Sequence, residues 1–136
     1  MLLICKLQTL DLSQVEINDQ GIDILVPALK KCDHLHFLSL ENDSITSKGL
    51  QKLTALLVSP KSNFKGLYIA GNSIDDEVVT AFTSALVNNH KLETLNIRNY
   101  NNPYLIPLLM KGGRHSRNYF VTHIMCQLDL SIKSHP

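Results

Sequence analysis

The sequence predicts an α/β solenoid. It has a short curved parallel sheet of four strands on the concave side, with a fifth strand left open, and helices on the convex side. Three observations predict it. Aliphatic or aromatic residues recur at Leu7, Leu35, Phe64 and Leu92, again at Leu10, Leu38, Leu67 and Leu95, and again at Leu12, Leu40, Ile69 and Ile97. Within each unit the hydrophobic spacing then changes from alternate residues to every third or fourth residue, the signature of a strand followed by a helix. Finally, one column just before each helix holds Asn18, Thr46 and Asp75. All three can accept a hydrogen bond from an unpaired first-turn N–H.

The strand of the first unit lies in "LQTLDLS". Leu10 and Leu12 alternate with Thr9, Asp11 and Ser13, so one face is apolar and the other polar. Ile17, Ile45 and Ile74 mark the turn. The helices follow with Ile22, Leu25 and Leu29, then Leu50, Leu53, Leu56 and Leu57, then Val78, Val79, Phe82 and Leu86. Pro27 falls inside the first helix. It removes a hydrogen bond and should bend or shorten that helix. One such unit cannot bury both its strand face and its helix stripe, whereas stacked units share a continuous core.

The run "LQTLDLSQVEINDQGIDILVPALKKCDH", with its L-x-x-L-x-L-x-x-N/C-x-I spacing, resembles a leucine-rich repeat of the ribonuclease-inhibitor-like class. "FKGLYIAGNSIDDEVVTAFTSALVNNHK" fits the same pattern. The resemblance covers residues 1–102, with units starting near 7, 35, 64 and 92. It implies a protein-binding scaffold, in a class that includes Ran GTPase activators, tropomodulins and innate-immune sensors. The class places a turn-stabilising Asn or Cys where this chain has Val15, Asp43, Asn72 and Tyr100. Asn72 matches and Asp43 is a partial substitute, so an incomplete polar ladder is expected.

Residues 103–136 depart from the pattern. "YLIPLLMK" suits a short capping helix ended by Gly112 and Gly113. "MCQLDLSI" suits a fifth strand, the alternative being an irregular tail. At the other end, Met1 stands six residues before Leu7, where the second and fourth units have helix ends. The chain is therefore expected to open inside a helix without a polar cap. That suggests a structural fragment or isoform of a longer repeat protein, associating through its open N-terminal end at Leu2, Leu3 and Leu7.

Composition narrows function. The formal charge is +1 over 136 residues, which implies neither nucleic acid nor an anionic membrane as partner. No apolar run reaches the roughly 18–20 residues of a membrane span. Cys5, Cys32 and Cys126 are odd in number and far apart, as expected in the cytoplasm or nucleus. Cys32, His34 and His36 lack a fourth zinc ligand nearby, and no nucleophile or phosphate-loop motif is present. The expectation is no enzyme, no cofactor and no metal.

What remains is the concave face. Its columns read Thr9, Phe37, Gly66 and Thr94; then Asp11, Ser39, Tyr68 and Asn96; then Ser13, Glu41, Ala70 and Arg98. Phe37 and Tyr68 should be neighbours and anchor a partner protein, because aromatics are enriched in interface hot spots. Asp11, Glu41, Asn96 and Arg98 would set complementarity. Gly66, Ala70 and Gly71 would leave room for the partner to approach. The expected function is a protein-interaction module, with a regulatory role.

Overall fold

The computed structural model describes residues 6–73, 75, 77–78, 81–82, 84–85, 89 and 91–97. The expected third-helix positions Val79 and Leu86, the N-terminal Leu2 and Leu3, Arg98 and the whole segment 103–136 lie outside the described residues.

Among the described residues there are four three-residue strands: β1 (Thr9–Asp11), β2 (Phe37–Ser39), β3 (Gly66–Tyr68) and β4 (Thr94–Asn96). They form one parallel sheet in the order β1-β2-β3-β4. The register aligns Leu10 with Leu38, Leu38 with Leu67, and Leu67 with Leu95. Three residues make a poor ladder alone, so pairing continues past each strand. Leu12 N–H donates to the Ser39 carbonyl, Leu40 N–H to Tyr68 and Ile69 N–H to Asn96, at 2.8–2.9 Å.

Helices α1 (Asn18–Leu29) and α2 (Ser47–Val58) follow β1 and β2 and pack on each other. Residues 77–78, 81–82 and 84–85 are also helical. The buried stripe of α1 is Ile22, Val26 and Leu29, so Val26 takes the place expected of Leu25, which is half-buried. In α2 the expected Leu50, Leu53, Leu56 and Leu57 are all buried. Pro27 does not shorten α1, which runs on to Leu29 and has the same 12 residues as α2. It removes the N–H that would pair with the carbonyl of Asp23, an exposed residue, and only two helical residues follow it, so little helix is left to disturb.

The capping column holds. Asn18 Oδ1 accepts from Gln20 N–H at 2.9 Å, Thr46 Oγ1 from Lys48 N–H at 3.4 Å, and Asp75 Oδ1 from Val78 N–H at 3.0 Å. The core gathers Leu38, Leu67 and Leu95 from the strands with Ile22, Leu50, Val78 and their neighbours from the helical side. The intervening strand residues therefore face away from the helices.

The turn ladder is better filled than the sequence suggests. Asn72 Oδ1 accepts from the N–H groups of Asp43 and Ile45, and its Nδ2 donates to the carbonyls of Leu40 and Ile69. Asp43 in turn accepts from Val15 N–H at 2.9 Å. The unit lengths differ by one residue. Leu29 to Leu35 spans six positions and Leu57 to Phe64 seven. The extra residue is absorbed near a turn in which Ser62 N–H donates to the Ser59 carbonyl at 3.0 Å.

Candidate functional site

The open face of the sheet is laid out in rows by the strand register. One row runs Thr9, Phe37, Gly66 and Thr94, and the next runs Asp11, Ser39, Tyr68 and Asn96. Alternation along each strand turns these side chains outward while Leu10, Leu38, Leu67 and Leu95 turn in.

Phe37 is 36% exposed and Tyr68 is half-buried. They meet over Gly66. A Cβ added there would lie 2.6 Å from Phe37 Cδ1 and 3.1 Å from Tyr68 Cε2. Gly66 is buried by these two rings, so the room for a partner that the sequence suggests beside it is already filled. The same correction applies at Gly71. Its φ of +74° is a left-handed conformation, and a Cβ would fall 2.0 Å from Asn42 Oδ1. Gly71 is there for the turn, with Asn42 already against it. Ala70 is 7% exposed, so it too offers little surface.

Thr9, Leu10, Asp11, Phe37, Ser39 and Tyr68 line a dent of about 340 Å³. Small Ser39 forms its middle, flanked by Asp11 on β1 and Tyr68 on β3. Asp11 Oδ1 accepts from Ser13 N–H at 3.0 Å. That bond, then the Ser13 hydroxyl and last the Ser39 hydroxyl, hold the Asp11 carboxyl below the usual carboxylate range against an opposing effect of burial. The Ser13 and Ser39 hydroxyls are 2.6 Å apart, and Ser13 Oγ accepts from Glu41 N–H at 3.1 Å.

Of the expected contact residues, Phe37, Tyr68 and Asp11 are brought together. Glu41 and Asn96 instead engage each other. Asn96 Nδ2 donates to Glu41 Oε1 at 2.7 Å, a reach across the intervening strand β3. Neither lines the dent. Arg98 lies outside the described residues. Three lining residues are not in the expected contact set: Leu10, from the inward column, and the polar pair Thr9 and Ser39. The signal for that pair was its place in the outward columns.

Elsewhere, His34 is exposed, His36 is half-buried, and Cys32 is buried with Sγ 3.4 Å from the Ala28 carbonyl. Among the described residues no group of three or more His, Cys, Asp or Glu could hold a metal ion. No described helix is long and apolar enough to cross a membrane.

No family model matches the chain. Over 81 residues, 60% of the chain, it is 34% identical to the human "NACHT, LRR and PYD domains-containing protein 13"; that match spans 8% of the human protein. Among solved structures it is similar to actin-binding site 2 of leiomodin-1, with a TM-score of 0.72 at 14% identity, covering 93% of this chain and 86% of that one. It is also similar to a Caenorhabditis elegans tropomodulin C-terminal domain, with a TM-score of 0.50 at 14% identity, covering 96% and 91%. Together with the aligned aliphatic columns, these likenesses show repeats of leucine-rich type and a leucine-rich-repeat-like fold.

Proposed function

We propose that this chain is a protein-interaction module that binds a partner protein through the sheet face away from its helices, with a regulatory rather than catalytic role. The observation that carries the reading is the pair of rings, Phe37 and Tyr68, side by side over Gly66 at the rim of the dent. The strands hold these rings on fixed backbone, so little ordering entropy is lost on binding. The leiomodin domain of similar fold is described as an actin-binding site. That lends a precedent for binding by this fold and leaves the partner of this chain to be found. The odd number and wide spacing of Cys5, Cys32 and Cys126 suit a reducing compartment such as the cytoplasm.

Affinity purification with mass spectrometry tests the reading. The wild-type chain is compared with a Phe37→Ala, Tyr68→Ala double variant whose circular dichroism is first shown to be unchanged. Loss of two anchors should weaken capture of a specific partner by about tenfold or more. Equal recovery by both proteins would remove the open face as the binding surface.

A second reading, self-association of two copies through the β1 edge, is favoured by one observation. Leu7 is 39% exposed, and Leu10 and Leu12 are half-buried, whereas their counterparts Leu35, Leu38 and Leu40 are at most 1% exposed. Sedimentation velocity should then show concentration-dependent dimers that Leu7→Lys abolishes. A monomer at all concentrations contradicts it.

A further inference from the structure

We propose that the dent on the open face receives an arginine side chain of the partner, its guanidinium lying against Phe37 and Tyr68 and paired with the Asp11 carboxylate. The inference rests on the reading of this face as a binding surface and goes further by naming the chemistry it selects.

Charge is the first argument. Asp11 is the one charged residue among the described residues that line the dent, and no cationic side chain lines it. Asp11 is exposed on the edge strand, and its carboxylate is kept ionised by the Ser13 N–H and the neighbouring hydroxyls. Glu41, one row away, adds a second negative group. The site is thus complementary to a cation.

Shape is the second. Asp11, Ser39 and Tyr68 are aligned across three adjacent strands. At roughly 4.8 Å per strand, the backbones of Asp11 and Tyr68 stand about 10 Å apart. With the short Ser39 between them, the dent has room for a flat head group between the carboxylate and the rings. A guanidinium is flat, weakly hydrated and able to stack on an aromatic face while donating in plane to a carboxylate. The Thr9 and Ser39 hydroxyls add polar atoms to the lining that its remaining N–H groups can reach.

Other side chains fit less well. An acidic group would meet the charge of Asp11. An aliphatic group would bury that carboxylate without a partner, which is costly. A lysine brings the charge but not the plane.

The test uses the whole chain, labelled with nitrogen-15, and three probes: N-acetyl-arginine amide, N-acetyl-lysine amide and N-acetyl-leucine amide. Arginine amide should produce saturable shifts at the amide resonances of Thr9, Phe37, Gly66 and Tyr68. Lysine amide should bind about three- to tenfold more weakly, and Asp11→Asn should weaken arginine binding by a similar factor. Asparagine retains the oxygen that accepts from Ser13, and the spectrum itself reports whether the fold is kept. Added salt should weaken the interaction. A response to leucine amide equal to that of arginine amide would overturn the inference while leaving the face as an apolar binding surface. Indifference to Asp11→Asn would overturn it too, as would the absence of saturable shifts around the dent. None of these results touches the wider reading, which the Phe37→Ala, Tyr68→Ala capture experiment decides independently.

Discussion

Asp43 and Asn72 occupy the same place in successive turns and are not equally suited to it. Asn72 uses both halves of its amide, accepting two backbone N–H groups and donating to two carbonyls. Asp43 is 0% exposed and accepts from Val15 N–H, but its Oδ2 has no partner among the described residues. It occupies the position where an asparagine would present its donors. Leaving a buried polar atom unpaired costs about 1–3 kcal/mol. Asp43→Asn should therefore raise stability by about that amount, seen as a higher urea midpoint with an unchanged slope. A lower midpoint would mean that Oδ2 is better satisfied than its surroundings suggest. Residue types alone identified Asp43 as a partial substitute. They could not reveal that Gly66 lies under two rings or that Gly71 sits against Asn42, because Phe37 and Asn42 each come from 29 positions earlier in the chain.

Helix α2 is started partly by the unit before it. Asp19, in the first turn of α1, accepts from Thr46 N–H at 2.9 Å, from the Thr46 hydroxyl, and from Gly49 N–H at 3.2 Å. It thus adds a second cap to α2, beside that of Thr46 itself. At the next step the direction is reversed: the Ser47 hydroxyl donates to the carboxylate of Asp75, the capping residue of that unit, and holds it low together with Val78 N–H. Partial burial pushes the Asp19 carboxyl up, yet the Thr46 hydroxyl, the N–H groups of Thr46 and Gly49, and the charge of Lys48 together hold it below its ordinary value. A carboxylate lowered by folding stabilises the fold above its unfolded pKa, about 3.9. That contribution is lost as pH falls through the folded value. Asp19→Ala should cost about 0.5–2 kcal/mol near neutrality. Its deficit against wild type in urea denaturation should shrink once the pH falls below about 3.9. A deficit independent of pH would show that the charge is not what matters. The capping column was legible because its three residues share one chemistry. The cross-link was less legible, because Asp19 and Ser47, in the column beside it, do not share one chemistry.

Across the whole molecule, the in-register strands make the core one row, in which Leu38 lies between Leu10 and Leu67. A cavity there lies next to both neighbouring units, since each unit of a stacked array depends on those beside it. Leu38→Ala should cost about 2–5 kcal/mol, and amide exchange should accelerate in α1 and α2 together. Faster exchange in α2 alone would show that the units open separately. The fold was legible at this scale because aliphatic columns repeat with every unit. The open face was less so. The Glu41–Asn96 bond joins residues 55 positions apart, and no period in the sequence announces it.

The turn near Ser59 and Ser62 already accommodates one residue more than its counterparts while Leu38 and Leu67 stay aligned. Closing a longer loop adds only slowly to the entropic cost, about 0.6 kcal/mol per doubling. A fluorescent tag or an epitope spliced in after Pro60 would therefore hang from the helix-to-strand end of the sheet. It would give experimenters a handle for immobilisation or imaging that leaves Phe37, Tyr68 and Asp11 unobstructed.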